Sequence, residues 1–139
     1  MKRNQRNERI SFVAAGILLF SILMMIITIP FLFSDPSLTS TPISAAIGIV
    51  LALAIHLLIF RAYIKNIRDE ESDSKKRARG YLWIGILLIL FGAIYVNGAV
   101  SFLSQDGTPI VSIFMFTSTS CDLMASILIF ILILLNRKK

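Results

Sequence analysis

Four long runs of apolar residues, at about 10–33, 42–64, 80–103 and 109–135, dominate this 139-residue chain and leave it few ways to fold. Each is long enough to cross a bilayer core, which takes roughly 20 helical residues. In lipid the backbone must satisfy its own hydrogen bonds, and the runs lack the alternating apolar and polar positions of membrane barrel strands. Four transmembrane α-helices follow. A hydrophobic content of 56% and a mean hydropathy of +0.81 agree, because a soluble domain of this length has too little interior to hide that much apolar surface.

The net charge of +6 is distributed in a way that orients the helices. All 14 Lys and Arg residues fall in three places: 2–9 before the first run, 61–79 at and after the second, and 137–139 after the fourth. The connections 34–41 and 104–108 contain none. With four crossings every basic residue lies on one side, which the positive-inside rule makes the cytoplasmic side. The expected architecture is an all-α, up-down-up-down bundle forming one membrane domain over 1–139, with both termini and a loop at 65–79 in the cytoplasm. Charge placed this way serves topology, so nucleic acid is not an expected partner. The first run exceeds the roughly 7–15 residues of a signal-peptide core and reads as a retained span.

Local signals punctuate the spans. Thr41 before Pro42 and Thr108 before Pro109 each offer an N-cap followed by a proline suited to the first helical position. Pro30 is expected to end or kink the first helix locally. In the 65–79 loop an acidic cluster, Asp69, Glu70, Glu71 and Asp73, precedes a basic one, Lys75, Lys76, Arg77 and Arg79, which is placed to contact anionic lipid head groups. Tyr81 and Trp83 fit an aromatic belt just inside that boundary. The segments 16–19 and 85–88 both read GILL, a faint sign of internal duplication.

Chemistry, if any, must come from the few polar groups inside the spans. Asp122 lies 13 residues from Pro109, deep in the fourth run. A carboxylate there costs at least a few kcal/mol, so it is expected to be neutral, paired or hydrated. Ser118, Asp122 and Ser126 are spaced four apart on one helical face. His56 continues a row of small residues, Ser44, Gly48 and Ala52, which is expected to pack against another helix. Taken alone, His56 reads as a hydrogen-bonded packing residue. Measured from Pro42 and Pro109, His56 and Asp122 lie level; measured from Arg61 and Arg137, they differ by about 14 Å. The outer anchors are preferred, because Arg61 can snorkel. The first span offers a seam of Ser11, Ala14, Ser21 and Thr28, and the third offers Asn97, on one face with Ala93 and Ser101. Asn97 is the expected partner of Asp122 after His56.

The sequence contains no HExxH, no paired CxxC, no Walker lysine loop and no glycine-rich dinucleotide turn, so an enzyme is not expected and no cofactor or metal is implied. The single cysteine, Cys121, has no partner for an intramolecular disulfide. Small four-span drug exporters carry an acidic residue in their first span, and here that run has none. The reading that remains is a non-enzymatic cell-membrane protein, bacterial by its short loops, acting on lipid, another membrane protein or itself. The alternative is a small oligomeric transporter or channel with Asp122 as a proton or cation site.

Overall fold

The computed structural model describes residues 5–33, 42–69, 73–104 and 109–137, and these form four helices: α1 (Gln5–Phe33), α2 (Pro42–Arg68), α3 (Ser74–Ser104) and α4 (Pro109–Arg137). Each contains a span long and apolar enough to cross a membrane. The expected caps Thr41 and Thr108 lie outside the described residues, but α2 and α4 do begin at Pro42 and Pro109. There the missing amide of proline costs nothing, since first-turn amides have no partner within the helix. Pro30 does not end α1, which continues to Phe33. Phe31 instead stacks on Phe114 of α4, with ring centroids 5.2 Å apart.

The expected loop at 65–79 is much shorter. The helix α2 runs on to Arg68, and α3 begins at Ser74 with the Asp73 carbonyl accepting from the Arg77 amide at 3.0 Å. Asp73 therefore occupies the N-cap position, a residue type favoured there. The charged segments stay helical because Lys, Arg and Ala are good helix formers and the helices project past the hydrocarbon. Three cations, Lys75, Lys76 and Arg77, occupy the first turn of α3, where the helix dipole disfavours positive charge.

Consecutive helices run antiparallel. Tyr63 near the end of α2 donates to the Ser11 carbonyl near the start of α1 at 2.9 Å, and Tyr63 also stacks on Tyr81 of α3 at 5.8 Å. Gly85 of α3 lies against Phe130 of α4, and Gly98 against Met115. The start of α1, the end of α2, the start of α3 and the end of α4 consequently share one end of the bundle, the basic end. Each helix packs on its two neighbours in a closed ring, while the Cα atoms of α2 and α4, diagonal across it, nowhere come within 8 Å among the described residues.

Buried positions follow a heptad interval on three helices. They are Ser11, Ala14, Leu18, Ser21, Met25 and Thr28 on α1; Tyr81, Gly85, Leu88, Gly92 and Tyr95 on α3; Val111, Met115, Ser118, Asp122, Ala125, Ile129 and Leu132 on α4. Alternating steps of three and four are the interval of a left-handed helical bundle. Large apolar side chains such as Phe12, Leu58, Ile94 and Leu134 point outward. That arrangement suits a lipid solvent, which does not drive apolar groups inward.

This seam corrects three expectations. Trp83 is exposed as a belt residue should be, but Tyr81, two residues and about 200° away, is buried in the bundle. Gly48 faces outward with nothing within 4 Å of the place a Cβ would take, whereas Ala52 and His56 of its row turn inward; the side chain of Ser44 lies outside the described residues. The two GILL segments are not equivalent, because Gly16 is exposed where Gly85 is buried. The Tyr63 hydroxyl is the main polar tie between α1 and α2 near the basic end. Tyr63→Phe should lower stability by about 1 kcal/mol, measured by detergent unfolding followed through the fluorescence of Trp83, the single tryptophan.

Candidate functional site

Two polar residues meet across the diagonal of the ring. His56 lies on the inward face of α2, one heptad from both Ile49 and Tyr63, and Asp122 occupies the seam of α4. Both are buried, Asp122 with no exposed surface at all. The imidazole Nε2 lies 2.7 Å from Asp122 Oδ2, so one long side chain and one short one bridge two helices whose backbones stay apart.

The state of this pair follows from its neighbours. His56 Nδ1 is 2.8 Å from the Ala52 carbonyl, one helical turn back. A carbonyl only accepts, so Nδ1 carries a hydrogen. A contact of 2.7 Å between Nε2 and Oδ2 then requires one proton between them, either on the carboxyl with a neutral imidazole or on Nε2 as an imidazolium facing a carboxylate. The two forms differ only in where that proton sits, and both leave the pair with no net charge. Its loss would set a lone pair against a buried carboxylate, which a low-dielectric interior penalises heavily.

The other carboxyl oxygen is also occupied. Ser21 of α1 donates to Asp122 Oδ1 at 2.8 Å, and its oxygen accepts from Ser118, 2.8 Å away. Hydrogen bonds thus run from Ser118 through Ser21, Asp122 and His56 to the Ala52 carbonyl, joining α4, α1 and α2. Each hydroxyl and ring hydrogen in this chain has an acceptor, the condition under which a buried polar network rigidifies a fold. The Phe91 ring of α3 meets the imidazole edge-on, centroids 6.4 Å apart, and closes the fourth side.

The residues singled out from the sequence divide clearly. Asp122, His56 and Ser118 come together, with Ser118 acting through Ser21. Ser126 is buried but donates to the Leu123 carbonyl at 2.8 Å, so it satisfies its own helix instead of Asp122. Asn97 is exposed, and the expectation that it faces Asp122 is wrong. It lies about 200° round α3 from Tyr95, which takes the inward place. Of the basic cluster, Lys75, Lys76 and Arg79 are exposed. Arg77 is half-buried and donates to the Asp69 carbonyl, so it ties the start of α3 to the end of α2.

Tyr95 and Ser112 carry no sequence signal that distinguishes them, yet their hydroxyl oxygens are buried with no hydrogen-bond partner among the described residues. Among the described residues no third His, Cys, Asp or Glu joins the His56–Asp122 pair to make a metal-binding group. Comparison with protein-family models, curated proteins and solved structures finds no match to this chain.

Proposed function

We propose that this chain is a non-enzymatic multi-pass protein of the cell membrane that acts by contact with another membrane protein or with lipid. In this reading its basic end faces the cytoplasm, and the His56–Asp122 bridge locks α2 into the bundle. The supporting observation is the complete enclosure of Asp122, whose two carboxyl oxygens are both engaged by side chains of neighbouring helices. A pair so enclosed fixes register and packing, the best-attested use of a buried polar group.

A second reading, a small oligomeric transporter or channel with Asp122 as its proton site, draws on Tyr95 and Ser112. Their unpartnered hydroxyls lie between the pair and the end opposite the basic one, where water would complete their hydrogen bonds and carry protons to Asp122.

Asp122→Asn separates the two readings, because an amide at that place reproduces the neutral form. Its NH2 donates to His56 Nε2, and its oxygen accepts from Ser21. The variant should therefore fold within about 1 kcal/mol of the parent while having no proton to exchange. Under the contact reading, vesicles carrying parent and variant have the same proton permeability, and crosslinking in native membranes captures the same partner with both. A pH-driven flux in the parent that Asp122→Asn abolishes would sink that reading in favour of the second.

A further inference from the structure

We propose that the cleft between the start of α3 and the end of α4 is a binding site for one anionic phospholipid, built by Lys75 and Arg79 over an apolar floor of Leu82 and Ile133. The cleft is half-open, with a volume of about 510 Å³, and Ser74 and Asn136 complete its polar rim. This is narrower than the general basic surface that the sequence offers. Arg77 is engaged by the Asp69 carbonyl and Lys76 lies outside the lining, while Asn136 enters from a helix remote in sequence.

Three features select the occupant. Lys75 and Arg79 are four residues apart and share a helical face, so their charges converge on one anion. Among the described residues the lining contains no carboxylate, whereas the neighbouring cavity holds Glu8 together with Arg68 and Arg77 and is mixed in charge. Below the cations, Leu82 and Ile133 continue the wall into the apolar span, matching a ligand whose phosphate is followed directly by hydrocarbon. Trp83, exposed and one turn beyond Arg79, marks the head-group level that such a lipid requires. A soluble phosphate ester would use the rim and leave the floor uncovered.

Trp83 also reports on occupancy. The protein is reconstituted in phosphatidylcholine vesicles, and Trp83 quenching is titrated with acyl-brominated phosphatidylglycerol or acyl-brominated phosphatidylcholine. Each cation near the surface is worth about fivefold in affinity for an anionic lipid, so the parent should be half-quenched at a mole fraction of the anionic lipid roughly tenfold or more below that of the zwitterionic one. Arg79→Gln should lower this preference about fivefold, and Lys75→Gln with Arg79→Gln should abolish it, while Lys76→Gln keeps it. Equal quenching by the two lipids in the parent overturns the proposal. So does an equal loss with Lys76→Gln, which would indicate diffuse attraction to the whole basic end. Soluble glycerol phosphate should leave the quenching unchanged; if it relieves the preference, the site recognises the phosphate alone and the lipid assignment falls.

Discussion

Replacing His56 by leucine is expected to destabilise the bundle by about 3–5 kcal/mol, the usual consequence of removing one member of a buried pair. The loss comes less from the missing 2.7 Å contact than from what stays behind, a carboxyl with no exposed surface and only Ser21 to engage it. Asp122→Leu should cost a comparable amount, because it strands the imidazole Nε2 in the same apolar setting. His56→Leu combined with Asp122→Leu should recover most of the loss, bringing two apolar side chains together where two polar ones met. Unfolding of all four proteins in mixed micelles, followed through Trp83, gives the coupling energy directly. Losses that simply add would show that the two residues do not depend on each other, and the lock between α2 and α4 would have to be abandoned.

That pairing was only half legible in the sequence, and the reason is geometrical. Counting from Pro42 and Pro109 sets His56 and Asp122 level, and those prolines do start their helices. Counting from Arg61 and Arg137 separates them, because Arg61 is not a helix end: α2 continues to Arg68. From the true ends, His56 lies 12 residues inside α2 and Asp122 lies 15 residues inside α4, so the discrepancy nearly vanishes. A charged residue marks where a helix meets the membrane surface, and the helix need not stop there.

The four spans were legible because the cost of exposing backbone in lipid leaves only one kind of segment. The inward faces were harder to read, since in lipid an apolar side chain is equally at home inside or outside the bundle. Small and polar residues must then supply the signal. They did so on α1, where Ser11, Ala14, Ser21 and Thr28 are all buried, and on α4, where Ser118 and Asp122 lie on the seam. On α3 the same rule misled. Its one strongly polar residue within the span, Asn97, faces outward, and the true seam is made of Tyr81, Gly85, Leu88, Gly92 and Tyr95. Two of those are glycines whose meaning depends on the neighbour that fills the space, which no single helix discloses.

Gly85 shows what that space is for, and enlarging it should produce the second large effect. A Cβ at Gly85 would lie 3.0 Å from Cζ of Phe130 and 3.3 Å from both Cε atoms, so the ring occupies the place a side chain would take. Gly85→Ala forces the ring to retreat by a few tenths of an ångström. Gly85→Leu cannot be accommodated without separating α3 from α4, the helix with the most buried span in the bundle. Overpacking of this kind costs about 1–3 kcal/mol, with leucine at the upper end and alanine at the lower. Phe130→Ala should rescue Gly85→Leu by vacating the ring's volume, although alone it is destabilising because it leaves a cavity. The diagnostic quantity is the sign of the coupling: the double variant should be more stable than the sum of the single losses predicts. If Phe130→Ala and Gly85→Leu add, the glycine is not a socket for the ring, and the register of α3 on α4, which places Phe91 beside His56, would need another basis.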